Sequence, residues 1–182
     1  MKHHTMLALL VACASTFGGC VQMNASDNLS VVQSVNLPIP SSFGTQAAST
    51  VVLPAITKHI DVSDTVSKLN NIGTVSFAPT GSQVSNQQLD VVSHVHVDMA
   101  MSDGTSVALT DTDISTGATS VSLPVLVDGA TLQKYLGANG GTDLMFEFTL
   151  NPANVPTTLQ GTTLSLDYNL SIAATVEVQK SL

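Results

Sequence analysis

His94, His96 and Asp98 stand at alternate positions in the string His94-Val95-His96-Val97-Asp98. Imidazole nitrogens and carboxylate oxygens are common zinc ligands, and three of them with one open position make a catalytic zinc site. On an extended strand such alternate residues share one face, and a rise of about 3.3 Å per residue sets neighbours roughly 6.6 Å apart. Two imidazoles at that spacing can just converge on one ion. Metal ligands also need hydrogen-bonding partners that hold their orientation. Val95, Val97 and Met99 point to the opposite face and cannot supply them. The row is therefore expected to be the solvated face of an amphipathic strand. The alternative is a metal-binding or metal-dependent site at His94, His96 and Asp98. A second acidic group, Asp111-Thr112-Asp113 with Asp103 nearby, could offer Asp111 and Asp113 to calcium, which takes 6–8 oxygen ligands. Its spacing departs from the D-x-[DN]-x-[DN]-G loop, and solvated turn acids are the simpler reading.

The N-terminus carries a different chemistry. Met1-Lys2-His3-His4 is followed by the apolar stretch Met6–Ala12 and then by Phe17-Gly18-Gly19-Cys20. A basic start, a short apolar centre and small residues before a cut site make a secretory signal. The apolar stretch is too short for a bilayer core, which takes about 20 residues. Gly18-Gly19-Cys20 resembles the lipobox of bacterial lipoproteins. The resemblance implies cleavage before Cys20, acyl chains on its thiol and attachment to a membrane by lipid. Phe17 stands where that family prefers Leu. Leu10-Val11-Ala12-Cys13 fits the four-residue pattern too, but it would leave only about six apolar residues in the leader, below the usual 7–15. An ordinary secreted protein is the remaining reading. Val21, rather than Asp, after Cys20 implies outer-membrane sorting if the envelope is Gram-negative.

Two further resemblances are local. The string HVHVD is similar to the H-x-H-x-D of metallo-β-lactamase-like hydrolases. That family has another histidine directly after the aspartate, where this chain has Met99, and the only other histidine past the leader is His59. The family's activity is not carried over. Asn151-Pro152-Ala153-Asn154-Val155-Pro156 resembles the N-P-N region of LEA14-like sandwich domains over about twenty residues, which implies a sandwich and no more. The sequence holds no G-x-S-x-G elbow, P-loop or H-E-x-x-H helix.

Composition narrows the classes. Removing residues 1–19 from 182 leaves 163, a single-domain length. That part has no arginine, four lysines (Lys58, Lys68, Lys134, Lys180) and 13 acidic residues, for a net charge of −9. Such a surface repels phosphate backbones, which argues against nucleic-acid binding. Cys20 is its only cysteine, so no intrachain disulfide can form and stability must come from the core.

The elements that must position these residues read as strands. Leu164, Leu166, Tyr168, Leu170, Ile172, Ala174, Val176 and Val178 alternate with mostly polar residues, predicting one long half-buried strand. Residues 89–101 and 143–150 predict two more, and 30–37, 50–53, 74–78, 105–110 and 119–127 shorter ones. Asp103-Gly104 marks a hairpin turn. Asp61 or Ser63 is expected to cap one short helix through Asn70, and Asp128 another through Leu136. The expected architecture is an all-β, Greek-key, immunoglobulin-like β-sandwich with two short helices. It comprises a leader at 1–19, a lipid-anchored tether at 20–28 and one domain at 29–182. The expected function is that of a lipid-anchored cell-envelope protein with a non-catalytic structural or interaction role. It would carry no cofactor beyond its acyl chains and would meet a protein partner in the envelope. A carrier of a lipid or other hydrophobic ligand is the further alternative.

Overall fold

The computed structural model describes residues 21–43, 50–101, 103–137 and 141–180. The leader, Cys13 and Cys20 lie outside these residues. Among the described residues nine strands are present: β1 (Val21–Pro38), β2 (Val51–Val52), β3 (Ile56–Asp61), β4 (Thr74–Ser85), β5 (Val92–Ala100), β6 (Ser106–Asp113), β7 (Ser120–Leu123), β8 (Gly141–Leu150) and β9 (Thr163–Lys180). Two short helices interrupt them. α1 spans Ser63–Asn70, and α2 spans Gly129–Leu132 and runs on into a π-turn over Gln133–Gly137.

The strands form two antiparallel sheets. One has the order β1-β9-β4-β7; the other has β8 at its centre, with β5 then β6 on one side and β2 and β3 in succession on the other. The expected all-β sandwich with two short helices is what the chain adopts. The strand order refines it. Counting β2 and β3 as two lengths of one edge, each sheet has four positions and the chain's first and last strands pair along their whole length. This is the double Greek key of a jelly roll, whereas an immunoglobulin domain groups its strands differently.

Alternation explains the core. Leu164, Leu166, Tyr168, Leu170 and Ile172 of β9 meet Val35, Leu37, Val84 and Phe77 of their own sheet and Val95, Val97, Met99, Leu144, Phe146 and Phe148 from the other, all buried. Phe146 packs edge-on against Tyr168, with ring centroids 5.0 Å apart. The Tyr168 hydroxyl accepts a 3.0 Å hydrogen bond from buried Ser82 Oγ, as a buried phenol requires.

Four expectations are corrected. Residues 21–28, read as a tether, belong to β1 and pair in register with Lys180 down to Ala173. Val92, which unbroken alternation over 89–101 would place on the outer face with His94 and His96, is buried beside Val91 because the register shifts between Val92 and His94. Residues 56–61 form β3, whose Lys58 and His59 obscured the pattern. Of the two expected helix caps, Asp128 holds its position, whereas α1 follows Val62 with no side-chain cap, so neither Asp61 nor Ser63 caps it. Asp128 caps α2 through a 2.8 Å bond from Thr131 N, and these bonds hold its carboxyl below the usual aspartate range. Asp61 accepts from Ser63 N at 2.9 Å and from Ser63 Oγ just ahead of α1. Gly104 turns the β5–β6 hairpin at φ 84°, a left-handed conformation that suits glycine. Gly73 follows α1, its N–H bonding Leu69 O at 3.2 Å, and a Cβ there would lie 2.2 Å from the Glu177 carbonyl oxygen.

Candidate functional site

The polar row on β5 is positioned by a bulge. Between Val97 and Asp98 the β5–β6 register slips by one, with Val97 opposite Thr110 and Asp98 opposite Ala108. Leu109 is the extra residue, and both Leu109 and Thr110 turn into the core. A bulge reverses which residues face outward beyond it. Without it, Thr110 and Thr112 would stand opposite His96 and His94. With it, Asp111 pairs with His96 and Asp113 with His94.

The result is an unbroken chain of alternating acids and bases across the outer face. Asp113 Oδ1 lies 2.9 Å from His94 Nδ1, and His94 Nε2 lies 2.9 Å from Asp111 Oδ1. Asp111 Oδ2 lies 3.4 Å from His96 Nδ1, and His96 Nε2 lies 3.1 Å from Asp98 Oδ1. Asp111 therefore bridges both rings. On the far side of β5, β8 places Thr149 opposite His94 and Glu147 opposite His96. Farther along the same face, His59 Nδ1 of β3 lies 2.7 Å from Asp143 Oδ1 of β8, its register partner. All three described histidines thus sit on one face of one sheet, each against an aspartate.

The chemistry follows from the donor inventory. Ionised carboxylates only accept, and a neutral imidazole has one N–H. His94 Nδ1 is hydrogen-bonded with Asp113 Oδ1 and His96 Nε2 with Asp98 Oδ1, and the second nitrogen of each ring faces Asp111. Two imidazoles thus alternate with three carboxylates in a ladder. The same contacts occupy the nitrogens a metal would need, and among the described residues no group of three or more His, Cys, Asp or Glu is arranged to hold a metal ion. Asp111 and Asp113 lie in strand β6 rather than in a loop, facing histidine. Asp103 stands apart in the hairpin turn, where bonds from Thr105 Oγ1 and N hold its carboxyl below the usual range. The sequence named every member of the ladder but not their pairing. The signal available was the broken alternation at Ala108-Leu109-Thr110, which marks the bulge.

The Asn-Pro segment has a structural duty. Asn151 Oδ1 accepts from Ala153 N at 3.2 Å, and Asn154 Nδ2 donates to Asp90 O at 2.9 Å. These bonds tie the turn at Pro152–Asn154 to the one at Leu89–Val91. Between them lies an open cleft of about 480 Å³, edged by Gln87, Gln88 and Pro156.

No family model matches the chain, and no curated protein matches it. Among solved structures it is similar to VP2 of infectious bursal disease virus in its subviral particle, with 13% identity over 83% of this chain at a TM-score of 0.33. It is also similar to a structure of the Gx strain of that virus, with 14% identity over 84% of this chain at a TM-score of 0.32. The chain spans about a third of those proteins, 32% of each.

Proposed function

We propose that the chain is exported, acylated at Cys20 and anchored to a bacterial membrane, the outer membrane in a Gram-negative envelope. There its jelly-roll body serves as a non-catalytic structural or interaction module. The observation that carries this reading is the leader closing on Gly18-Gly19-Cys20, with no second cysteine beyond it. The fold supports it in one respect. The next residue, Val21, is already in β1 and paired, so a lipid on Cys20 is joined to the folded body with no intervening linker. A filled core favours an interaction module over a carrier of hydrophobic ligands. The space between the sheets is occupied by Phe146, Phe148, Tyr168, Leu166 and Leu170, none more than 1% exposed. The ladder favours a structural role for His94, His96 and Asp98 over a metal-dependent one.

Expression of Cys20→Ser and Cys13→Ser, each followed by membrane fractionation and intact mass measurement, tests the anchor. Cys20→Ser is expected to lose the acyl mass and leave the membrane, and Cys13→Ser to keep both. The opposite pattern moves the acceptor to Cys13. An unacylated wild-type chain refutes the reading.

A further inference from the structure

Among the described residues the two sheets present four edges: β1 and β7 in one, β6 and the β2–β3 edge in the other. An edge strand offers unpaired backbone N–H and C=O groups to any other strand, and proteins blunt such edges by shortness, charge, proline or bulges. Three of the four edges here are blunted. β7 is four residues long. β2 has two residues, and β3 has six, with Lys58 and His59 at its middle. β6 carries the bulge at Leu109, whose carbonyl already accepts a 2.9 Å bond from Leu126 N.

β1 has none of these features. It runs for 18 residues, pairs with β9 without a break in register and has no strand on its other side among the described residues. It holds no lysine or arginine, a single carboxylate at Asp27 and a single proline at its last position. In a chain whose net charge past the leader is −9, a strand so poor in charge spares two copies the repulsion they meet elsewhere. Near its middle, Val32 is 51% exposed. It stands on the outer face with Ser30 and Ser34, whose hydroxyls bond Asn169 and Asp167 of β9. Beside the strand, residues 28–33 line one side of a space of about 190 Å³ whose other side is Ile60, Asp61, Val62 and Thr65. The flank there is not sealed by packing.

We propose that β1 is a dimerisation edge. Two copies of this chain pair their β1 strands antiparallel about a twofold axis at Val32, joining two four-stranded sheets into one of eight strands. Backbone pairing at a sheet edge supplies the attraction, and the sequence of β1 supplies the match. A twofold interface sets one patch against itself, so the strand must be its own complement. About Val32 it is: the exposed valine covers its own copy, Ser30 meets Ser34 of the other copy, and Asn28 meets Asn36. Asp27 then lies opposite Leu37, ten positions along the seam from the other Asp27. At about 3.3 Å per residue the two carboxylates are about 33 Å apart, well beyond a Debye length of about 8 Å. The seam needs no acyl chain, so the proposal goes beyond the anchor reading without resting on it. The two readings are compatible: the N-termini lie at the far ends of the seam, and one bilayer reaches both when β1 lies along its surface.

The test compares Val32 with Val52, which is 58% exposed on the short edge strand β2 of the other sheet. Opposed residues of an antiparallel pair have Cα atoms about 4.5 or 5.5 Å apart, within the span of a disulfide. Val32→Cys and Val52→Cys are made in the full chain and oxidised beside the unmodified parent, so that any disulfide through Cys20 shows in all three. Val32→Cys is expected to give a covalent dimer that Val52→Cys and the parent do not. Native mass spectrometry of the full chain in mild detergent, over a range of protein concentrations, then reads the dimer directly. Val32→Lys sets two like charges opposite each other and is expected to raise the dimer dissociation constant about tenfold; Val52→Lys is expected to leave it unchanged. A wild-type chain that stays monomeric throughout, or cross-linking and dissociation that follow position 52 rather than 32, overturns the proposal. Intact mass reports acylation separately, so an unacylated chain that still pairs through position 32 refutes the anchor reading alone.

Discussion

Asp111 is the residue on which the outer-face ladder turns, because it alone contacts both His94 and His96. The rings are about 30% exposed and Asp111 half exposed, so each contact is a screened surface pair worth about 0.2–1 kcal/mol. Asp111→Asn is expected to cost about 0.5–1 kcal/mol in urea melts, and Asp113→Asn, at the open end of the ladder, less. A double-mutant cycle between Asp111 and His94 should show coupling that fades at 1 M salt, where the Debye length is about 3 Å. Equal costs for the two asparagine variants would sink the bridging assignment. The row itself was legible, since alternate spacing on a strand needs only local sequence. Its partners were not, because a one-residue bulge decides whether Asp111 or Thr110 meets His96, and bulges depend on how two strands dock. Tyr168 carries a second prediction. Burial pushes its hydroxyl up to about 12, partly opposed by the hydrogen bond with Ser82. An unfolded tyrosine ionises near 10, so over that interval the unfolded chain gives up a proton that the folded chain keeps. The stability linked to Tyr168 is therefore complete below about pH 10 and is lost as pH rises toward about 12. Melts of wild type and Tyr168→Phe at pH 8 through 11.5 should show a steeper alkaline decline in the wild type.

β9 shows what strand patterning can and cannot disclose. Its eight alternating apolar positions define the strand and its buried face, and Leu166 and Leu170 are fully buried as that pattern requires. Leu170→Ala is expected to cost about 2–5 kcal/mol. Asn169, one residue away on the wet face, accepts a 2.9 Å bond from Ser30 Oγ, and Asn169→Ala should cost less than about 1 kcal/mol. Equal costs in urea melts would rule out this register. The same reasoning missed the first eight of the eighteen residues of β1, because Gln22, Asn24, Ser26 and Asn28 are polar and read as a connector. That length is strand because β9 supplies its backbone hydrogen bonds in register, and a pairing partner some 150 residues away leaves no mark on the local sequence. β3 was hidden for a related reason: it is an edge strand whose lysine and histidine interrupt the apolar period.

The jelly roll closes when its first strand meets its last, so the whole-molecule property to test is the order of assembly. Ser30 bonds Asn169 across 139 residues, whereas β5 and β6 are joined by a short hairpin turned at Gly104. Loop closure must be met before distant contacts reward it, and all-β domains of such topology refold in milliseconds to seconds. The β1–β9 seam, as the most non-local pairing, is expected to form after the β5–β6–β8 sheet. Mutations in β1 should then act on unfolding and mutations in β5 on refolding. Val35→Ala removes a fully buried side chain from β1 at a cost of about 2 kcal/mol. It should raise the unfolding rate about 30-fold and leave refolding nearly unchanged. Val97→Ala, fully buried in β5, should place most of its effect on the refolding limb. Stopped-flow measurements over a range of urea concentrations separate the two limbs for each variant. If Val35→Ala slows refolding as much as Val97→Ala does, the terminal strands already pair in the transition state, and β1 would be part of the nucleus rather than the strand that closes the fold.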